Sequence, residues 1–237
     1  MKYEKVCCGK FIKRHNRFLA DVEMSGRIFK VHVKNTGRCR ELLVPGAEVF
    51  LEDFDAKMGT RKLRYSLIGV RKNISKYSVI VNMDSQAPNK VVREALESGK
   101  LVLPSMDKTE YVKGEYSYGN SRLDFYVKDS KGRKALVEVK GVTLENNGVA
   151  MFPDAPTQRG VKHIKELIKA ADDGYRSYVI FVIQMKGVDM FISNDKTHED
   201  FGQVLRLADT AGVRILAYDC VTGEDFLWLD EPVAVKL

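Results

Sequence analysis

Asp124, Glu138 and Lys140 are residue types that together can cleave a phosphodiester. Two carboxylates make an oxygen-rich seat for Mg²⁺, a hard ion that keeps several of its waters when protein-bound. The metal polarises the phosphate and lowers the pKa of a bound water. A lysine beside it orients that water and offsets charge developing on phosphate oxygen. Glu138 and Lys140 are two residues apart, so in a strand they share one face while Val137 and Val139 anchor the other. Glu-x-Lys by itself is also the ordinary surface pair of an edge strand. Its weight here comes from Asp124 upstream and from the helix downstream.

The elements that must position these groups are readable. Ser121–Val127 reads as one strand, Asp129–Arg133 as a polar turn, and Ala135–Lys140 as the next strand. An Asn146-Asn147-Gly148 turn follows. Thr157 is then placed to N-cap a helix whose apolar stripe is Val161, Ile164, Ile168 and Ala171. Arg159, His163 and Glu166 share a different, polar face, and Arg159, Lys162 and His163 crowd the start of the helix. A helix N-terminus favours anions, so these side chains are placed to seat a phosphate, with His163 able to relay a proton near neutrality. Ordinary basic residues on a surface helix are the competing reading. From Pro88, the apolar face Val91, Val92, Ala95 and Leu96 predicts another helix, ended by Gly99. Glu94 at the edge of that face is a candidate third carboxylate, against the alternative of a solvated surface Glu. Tyr178–Ile183 reads as a strand buried on both sides, followed by a helix near 199–211 and a strand at 214–218.

Charge divides the chain. Of 237 residues with formal charge +7, residues 1–80 carry 18 Lys+Arg against 8 Asp+Glu, and residues 81–237 carry 21 against 24. The first part is therefore +10 and the second −3, which directs the first part toward polyanions. Its runs at 18–24, 28–33, 48–51, 63–70 and 77–81 read as about five short strands, with Ser25-Gly26 as a hairpin turn. That pattern predicts a small OB-like β-barrel over 1–82, and the strand–helix alternation after it predicts an α/β domain over 83–237. OB barrels hold nucleic acid strands through a charged face and stacking rings. The candidate contacts are Lys13, Arg14, Arg17, Arg38, Arg40 and, ahead of the first acid, Arg122. Tyr65 and Phe11 are candidate rings, though such aromatics are more often core. Asn35-Thr36-Gly37-Arg38-Cys39-Arg40 reads either as a phosphate-contacting loop or as a plain turn.

The four cysteines, Cys7, Cys8, Cys39 and Cys220, show neither zinc nor disulfide spacing and fit reduced thiols. No apolar run is long enough to span a bilayer and no apolar leader opens the chain, so a cytoplasmic location is the expectation. No P-loop, Rossmann glycine pattern or nucleophile elbow occurs.

Three segments carry a family resemblance: Gly119–Phe125, Val137–Leu144 and Phe152–His163. Together with Asn35-Thr36-Gly37 they resemble the SfsA (sugar fermentation stimulation protein) family along the full chain. The resemblance implies a DNA-binding protein with an N-terminal OB-like domain and a C-terminal domain similar to PD-(D/E)xK nucleases. It implies metal ligation by Asp124 and Glu138, catalysis with Lys140, and Glu94 as the acid from the helix. Leu123, not Pro, precedes Asp124, a departure from the literal motif. The expected function is sequence-nonspecific DNA binding, with a Mg²⁺-dependent nuclease site for phosphodiester hydrolysis. The alternative is a non-catalytic DNA-binding regulator linked to sugar metabolism.

Overall fold

The computed structural model of the protein describes residues 1–35, 37–74 and 77–237. Thr36, the middle of the Asn35–Gly37 motif, lies outside the described residues. The first half is built from β1 (Val6–Asn16), β2 (Leu19–Met24), β3 (Arg27–Val33), β4 (Glu48–Asp53) and β5 (Tyr65–Ile74). β1 pairs with β2 and β4, and β2 pairs with β3. β5 pairs antiparallel with β4 and parallel with β3 through His32↔Ser66 and Val33↔Leu67, which closes the ring. The result is a five-stranded OB-like barrel filled by fully buried Ala20, Val22, Val31, Val49, Leu51 and Leu67. Burying a Val or Leu side chain stabilises by about 1.5–3 kcal/mol. The β2–β3 turn falls on Ser25 and Gly26, at φ 51° and 75°, the backbone that a two-residue hairpin between twisted strands requires.

One stave differs from expectation. The run at 77–81 forms β6 (Tyr77–Asn82), but among the described residues it pairs only with β5, and it leads out of the barrel. The fifth stave is β1, whose alternation is interrupted by register shifts between Phe11 and Lys13 and between Arg14 and Asn16. Bulges of this kind erase the period-2 signal. Phe11 is buried core rather than a stacking ring, and Tyr65 sits edge-on to Phe29.

The second half runs α1 (Ala87–Ser98), β7 (Thr109–Tyr118), β8 (Ser121–Asp129), β9 (Lys134–Val142), β10 (Leu144–Asn146), β11 (Val149–Phe152), α2 (Gln158–Asp172), β12 (Arg176–Ile183), β13 (Met190–Ser193), α3 (Glu199–Thr210), β14 (Arg214–Thr222), β15 (Leu227–Pro232) and β16 (Ala234–Lys236). Its main sheet has the order β15-β14-β12-β9-β8-β7, with β9, β12 and β14 parallel. Central β12 is covered on both faces: Tyr178, Ile180 and Val182 pack with α1, while Val179, Phe181 and Ile183 pack with α2 and α3. That explains its unbroken apolar run. A small sheet, β10-β11-β13-β16, lies beside it. The mixed α/β class follows.

Buried polar groups fasten the halves. The Asn82 backbone N–H donates to the Gln184 carbonyl, and the Gln184 side-chain amide donates to the carbonyls of Asn82 and Asp84. Lys34 Nζ bridges Glu52 (2.7 Å) and buried Asp84 (3.1 Å). Met1 and Tyr3 pack in the core of α1 and β12, so the first residues of the chain sit with the second half rather than with the barrel. All four cysteines are free thiols. Among the described residues no helix is long and apolar enough to cross a membrane.

Candidate active site

The β8–β9 ladder stops at Phe125↔Val137. The strands then part, and the Asp124 carboxylate enters the fork. Its Oδ2 accepts the Val139 backbone N–H (2.7 Å), an amide left without a ladder partner there, and its Oδ1 accepts from Asn89 Nδ2 of α1 (2.7 Å). Glu138 and Lys140 point to the α2 side, opposite Val137 and Val139, which pack against α1. Glu138 is 2% exposed. Its Oε1 takes Lys140 Nζ and His163 Nδ1, both at 2.5 Å. His163 Nε2 faces Arg159 Nε at 3.4 Å. With Arg159 donating to Nε2, the ring donates from Nδ1 to the carboxylate.

The environments split the two acids. Burial, then repulsion from Glu138, pushes Asp124 up to about 6, although the Val139 amide and Asn89 oppose the rise. Burial acts to raise Glu138 too, but the His163 hydrogen bond and the Lys140 charge prevail and hold it below the usual carboxylate range. Glu138 Oε2 is buried with no hydrogen-bond partner. An orphaned anionic oxygen is costly, and a cation supplies what it lacks. The donor set thus fits a hard divalent ion held by Asp124 and Glu138. Among the described residues no group of three His, Cys, Asp or Glu side chains gathers to hold a metal.

Gly141 ends the Glu-Val-Lys-Gly run for a steric reason. A Cβ there would lie 2.6 Å from Gln184 Oε1 and 2.8 Å from Pro88 Cγ, so only glycine lets α1 and the interdomain amide close on the strand. α2 starts as expected: Thr157 Oγ1 accepts the Gly160 N–H at 3.0 Å. Its buried arc is wider than the apolar stripe, because the helix is held between the sheet and α3. Leu167 and Ala170 are its core members where Ile168 and Ala171 were expected, and His163 and Glu166 are buried as well. Lys162 donates to the Asn120 carbonyl at 2.7 Å and is tied to the β7–β8 turn.

Glu94 is not part of the cluster. Its carboxylate takes the Met1 amine at 2.6 Å, and that amine also donates to the Leu227 carbonyl. The chain terminus, 93 residues away, captures the acid. The α1 residue that reaches Asp124 is Asn89, which sequence reasoning missed. Its only signal is a polar amide in the first turn of an otherwise apolar-faced helix.

On the barrel, Arg14, Arg17, Arg38 and Arg40 line one open cleft of about 300 Å³, with Asn16, Gly37 and Leu43. Arg14 is not free to grip a phosphate. Its guanidinium donates to the carbonyls of Asn16, Arg17, Asn35, Gly37 and Arg38, and its burial lowers its pKa. It is the floor that shapes the loop. Arg17, Arg38, Arg40 and Lys13 are exposed. Arg122, exposed on β8, pairs loosely with Glu115 at 3.4 Å. At Gly37 a Cβ would meet Asp154 Oδ2 at 2.5 Å, so the barrel loop closes onto the segment leading into α2.

Comparison with known proteins agrees with the two-part fold. Residues 12–82 match the SfsA N-terminal OB domain, and residues 86–226 match the sugar fermentation stimulation protein RE domain. The sugar fermentation stimulation protein homolog of Desulfitobacterium hafniense (strain DSM 10664 / DCB-2) is 51% identical over 237 residues, covering 100% of this chain and 99% of the relative. That of Ruminiclostridium cellulolyticum is also 51% identical, covering 100% of both. The solved structure of Pyrococcus furiosus SfsA in complex with Ca²⁺ superposes with a TM-score of 0.86 at 30% identity, over 100% of this chain and 98% of the other. With both domains matched and relatives aligned end to end, the chain belongs to the SfsA family.

Proposed function

We propose that the protein binds DNA without sequence preference and hydrolyses its phosphodiesters with Mg²⁺. The observation that carries this reading is the buried, unpartnered Glu138 Oε2 in a fork that also holds Asp124, with Lys140 alongside. Asp124 and Glu138 would hold the ion, and the Ca²⁺ complex of the Pyrococcus furiosus relative supports a divalent-cation site. Bound there, Mg²⁺ would supply phosphate polarisation and a water of lowered pKa. Lys140 commits one of its three N–H donors to Glu138 and keeps two for the attacking water or a phosphate oxygen. His163 orients Glu138, and Arg159 orients His163 while offering its other guanidinium N–H groups to phosphate. Lys13, Arg17, Arg38, Arg40 and Arg122 would carry the backbone by charge, over the loop that Arg14 braces.

The test is incubation of the pure protein with plasmid and single-stranded DNA, with Mg²⁺ or with EDTA. Cleavage should require Mg²⁺ and vanish in Glu138→Ala, Lys140→Ala; cleavage that survives in the double variant refutes the assignment. A second reading, a non-catalytic DNA-binding regulator, is favoured by one feature: Lys140 is already closed onto Glu138. It predicts salt-sensitive DNA binding with no cleavage by the wild type.

A further inference from the structure

A polar cavity of about 240 Å³ opens at the end of the main sheet where β9 and β12 begin, the opposite end from Lys140 and Gly141. Its walls include Arg176 and Arg214, at the first positions of β12 and β14, together with Ser105, Tyr175, Ser177 and Tyr178. Neither guanidinium has a carboxylate or hydrogen-bond partner among the described residues. Ser177 is 2% exposed, and its hydroxyl is buried with no partner. A buried hydroxyl without a hydrogen bond is destabilising unless something enters to accept or donate.

The neighbouring groups do not supply that partner. The Tyr178 hydroxyl is committed to the Pro104 carbonyl at 2.6 Å. Asp129, the buried acid near it, is saturated by the Arg133 side chain and by the backbone amides of Asp107, Lys131 and Arg133. Asp173 is held by the Tyr118 hydroxyl. α2 and α3 both end here, and helix C-termini attract cations. Their trailing carbonyls, however, already accept backbone amides: Lys169, Ala170 and Ala171 from Asp173, Tyr175 and Gly174, and Leu207, Ala208 and Asp209 from Ala211, Val213 and Gly212. The two arginines therefore face the cavity with their forks unspent.

We propose that this cavity is a second anion site that takes a phosphate dianion, with Arg176 and Arg214 as the guanidinium clamp and the Ser177 hydroxyl as a buried donor. Planar guanidinium forks match phosphate oxygens bidentately. The volume admits a phosphate with part of an attached group, and the Tyr175 ring in the wall offers a flat surface to a nucleoside. The site is separate from the acid fork and stands whether or not that fork is catalytic.

Calorimetric titration of the full-length protein with inorganic phosphate, and separately with a nucleoside 5′-monophosphate, tests it at fixed low ionic strength. Both should saturate with one site per chain. Arg176→Gln, Arg214→Gln, two exposed positions that leave the core intact, should weaken binding by about a hundredfold, and Ser177→Ala by about tenfold, as loss of charge-assisted hydrogen bonds dictates. Arg17→Gln, Arg40→Gln on the barrel should leave it unchanged. Tighter binding of the nucleotide than of phosphate would assign the ligand as a phosphate monoester, and equal binding as free phosphate. No saturation by 10 mM, about the weakest affinity a specific clamp would show, or binding that survives the Arg176 and Arg214 changes overturns the proposal. Loss of binding in the barrel variant alone would overturn it as well.

Discussion

The barrel and the α/β half handle charge in opposite ways. Lys13, Arg17, Arg38 and Arg40 stand exposed around an open cleft, and only Arg14 beneath them is locked, by five carbonyls. In the fork of β8 and β9 the charges are few, buried and mutually bonded: Glu138 to Lys140 and His163, and Asp124 to Val139 and Asn89. Exposed charges act by number and are screened by salt, whereas buried ones act by geometry. Under the proposed function, the first half would hold a polymer anywhere along its length and the second would act on one bond.

The sharpest way to break that division is at Glu138. If the fork alone does chemistry, Glu138→Ala should lower Mg²⁺-dependent cleavage by about a thousandfold or more while DNA affinity stays within about twofold. Gel shifts and a nicking assay on the same preparation measure both. A parallel loss of affinity would show that the fork is also a binding surface. Next in size is the converse change. Replacing Arg17, Arg38 and Arg40 together by Gln should weaken DNA binding by about 10–100-fold at low salt. The slope of log K against log salt concentration should flatten by about one unit for each phosphate-pairing arginine removed. Cleavage at saturating DNA should hardly move. The Arg14→Gln variant should differ in kind, losing stability as well as affinity, since five carbonyls lose their donor.

A pH experiment separates the two acids. Asp124 titrates at about 6 in the folded protein, against a usual value near 4. Between those values the folded state binds more protons than the unfolded chain, so its contribution to stability worsens as pH rises through the window and is fully unfavourable above about 6. Asp124→Asn should therefore abolish cleavage yet stabilise the metal-free protein at pH 7.5 by on the order of 3 kcal/mol, with the gain gone near pH 4. Thermal melts in EDTA at the two pH values decide it. An equal effect at both would mean that Asp124 carries no such strain. In the wild type, cleavage should fall as pH drops below about 6, while Glu138, held low by His163 and Lys140, stays ionised.

What sequence reasoning captured and what it missed divide along the range of the interactions. The Ser25-Gly26 turn, the α1 stripe with Gly99 behind it, and the Thr157 cap are set by neighbours a few residues away, and the structure places them as expected. The shared face of Glu138 and Lys140 follows from alternation alone. Barrel closure does not, because β3 meets β5 across more than thirty residues through only two pairs. β1 was hidden by its bulges. Arg14 was legible as a cation but not as a brace, since its acceptors lie in a loop that only the folded barrel brings to it. In the same way Asn89 becomes a partner of Asp124 only once α1 docks on the sheet. Asn89→Ala should consequently reduce cleavage modestly, by about tenfold, through a freer Asp124.

The smallest expected effect is at Glu94, and it tests how local the chemistry is. Glu94 shares α1 with Asn89 and has the right charge for a metal. Its carboxylate is nonetheless engaged by the Met1 amine, and its side chain is 56% exposed. An exposed ion pair contributes about 0–1 kcal/mol. Glu94→Gln should keep cleavage within about twofold of wild type and cost no more than that in stability. The change could matter only by loosening the N-terminus, since Met1 also bonds Leu227 and packs with α1. Adding residues ahead of Met1, which removes the amine without touching Glu94, should then reproduce the melting shift. If Glu94→Gln instead lowers cleavage tenfold while the N-terminal extension does not, α1 sends a carboxylate to the metal during turnover, and the fork holds three acids rather than two.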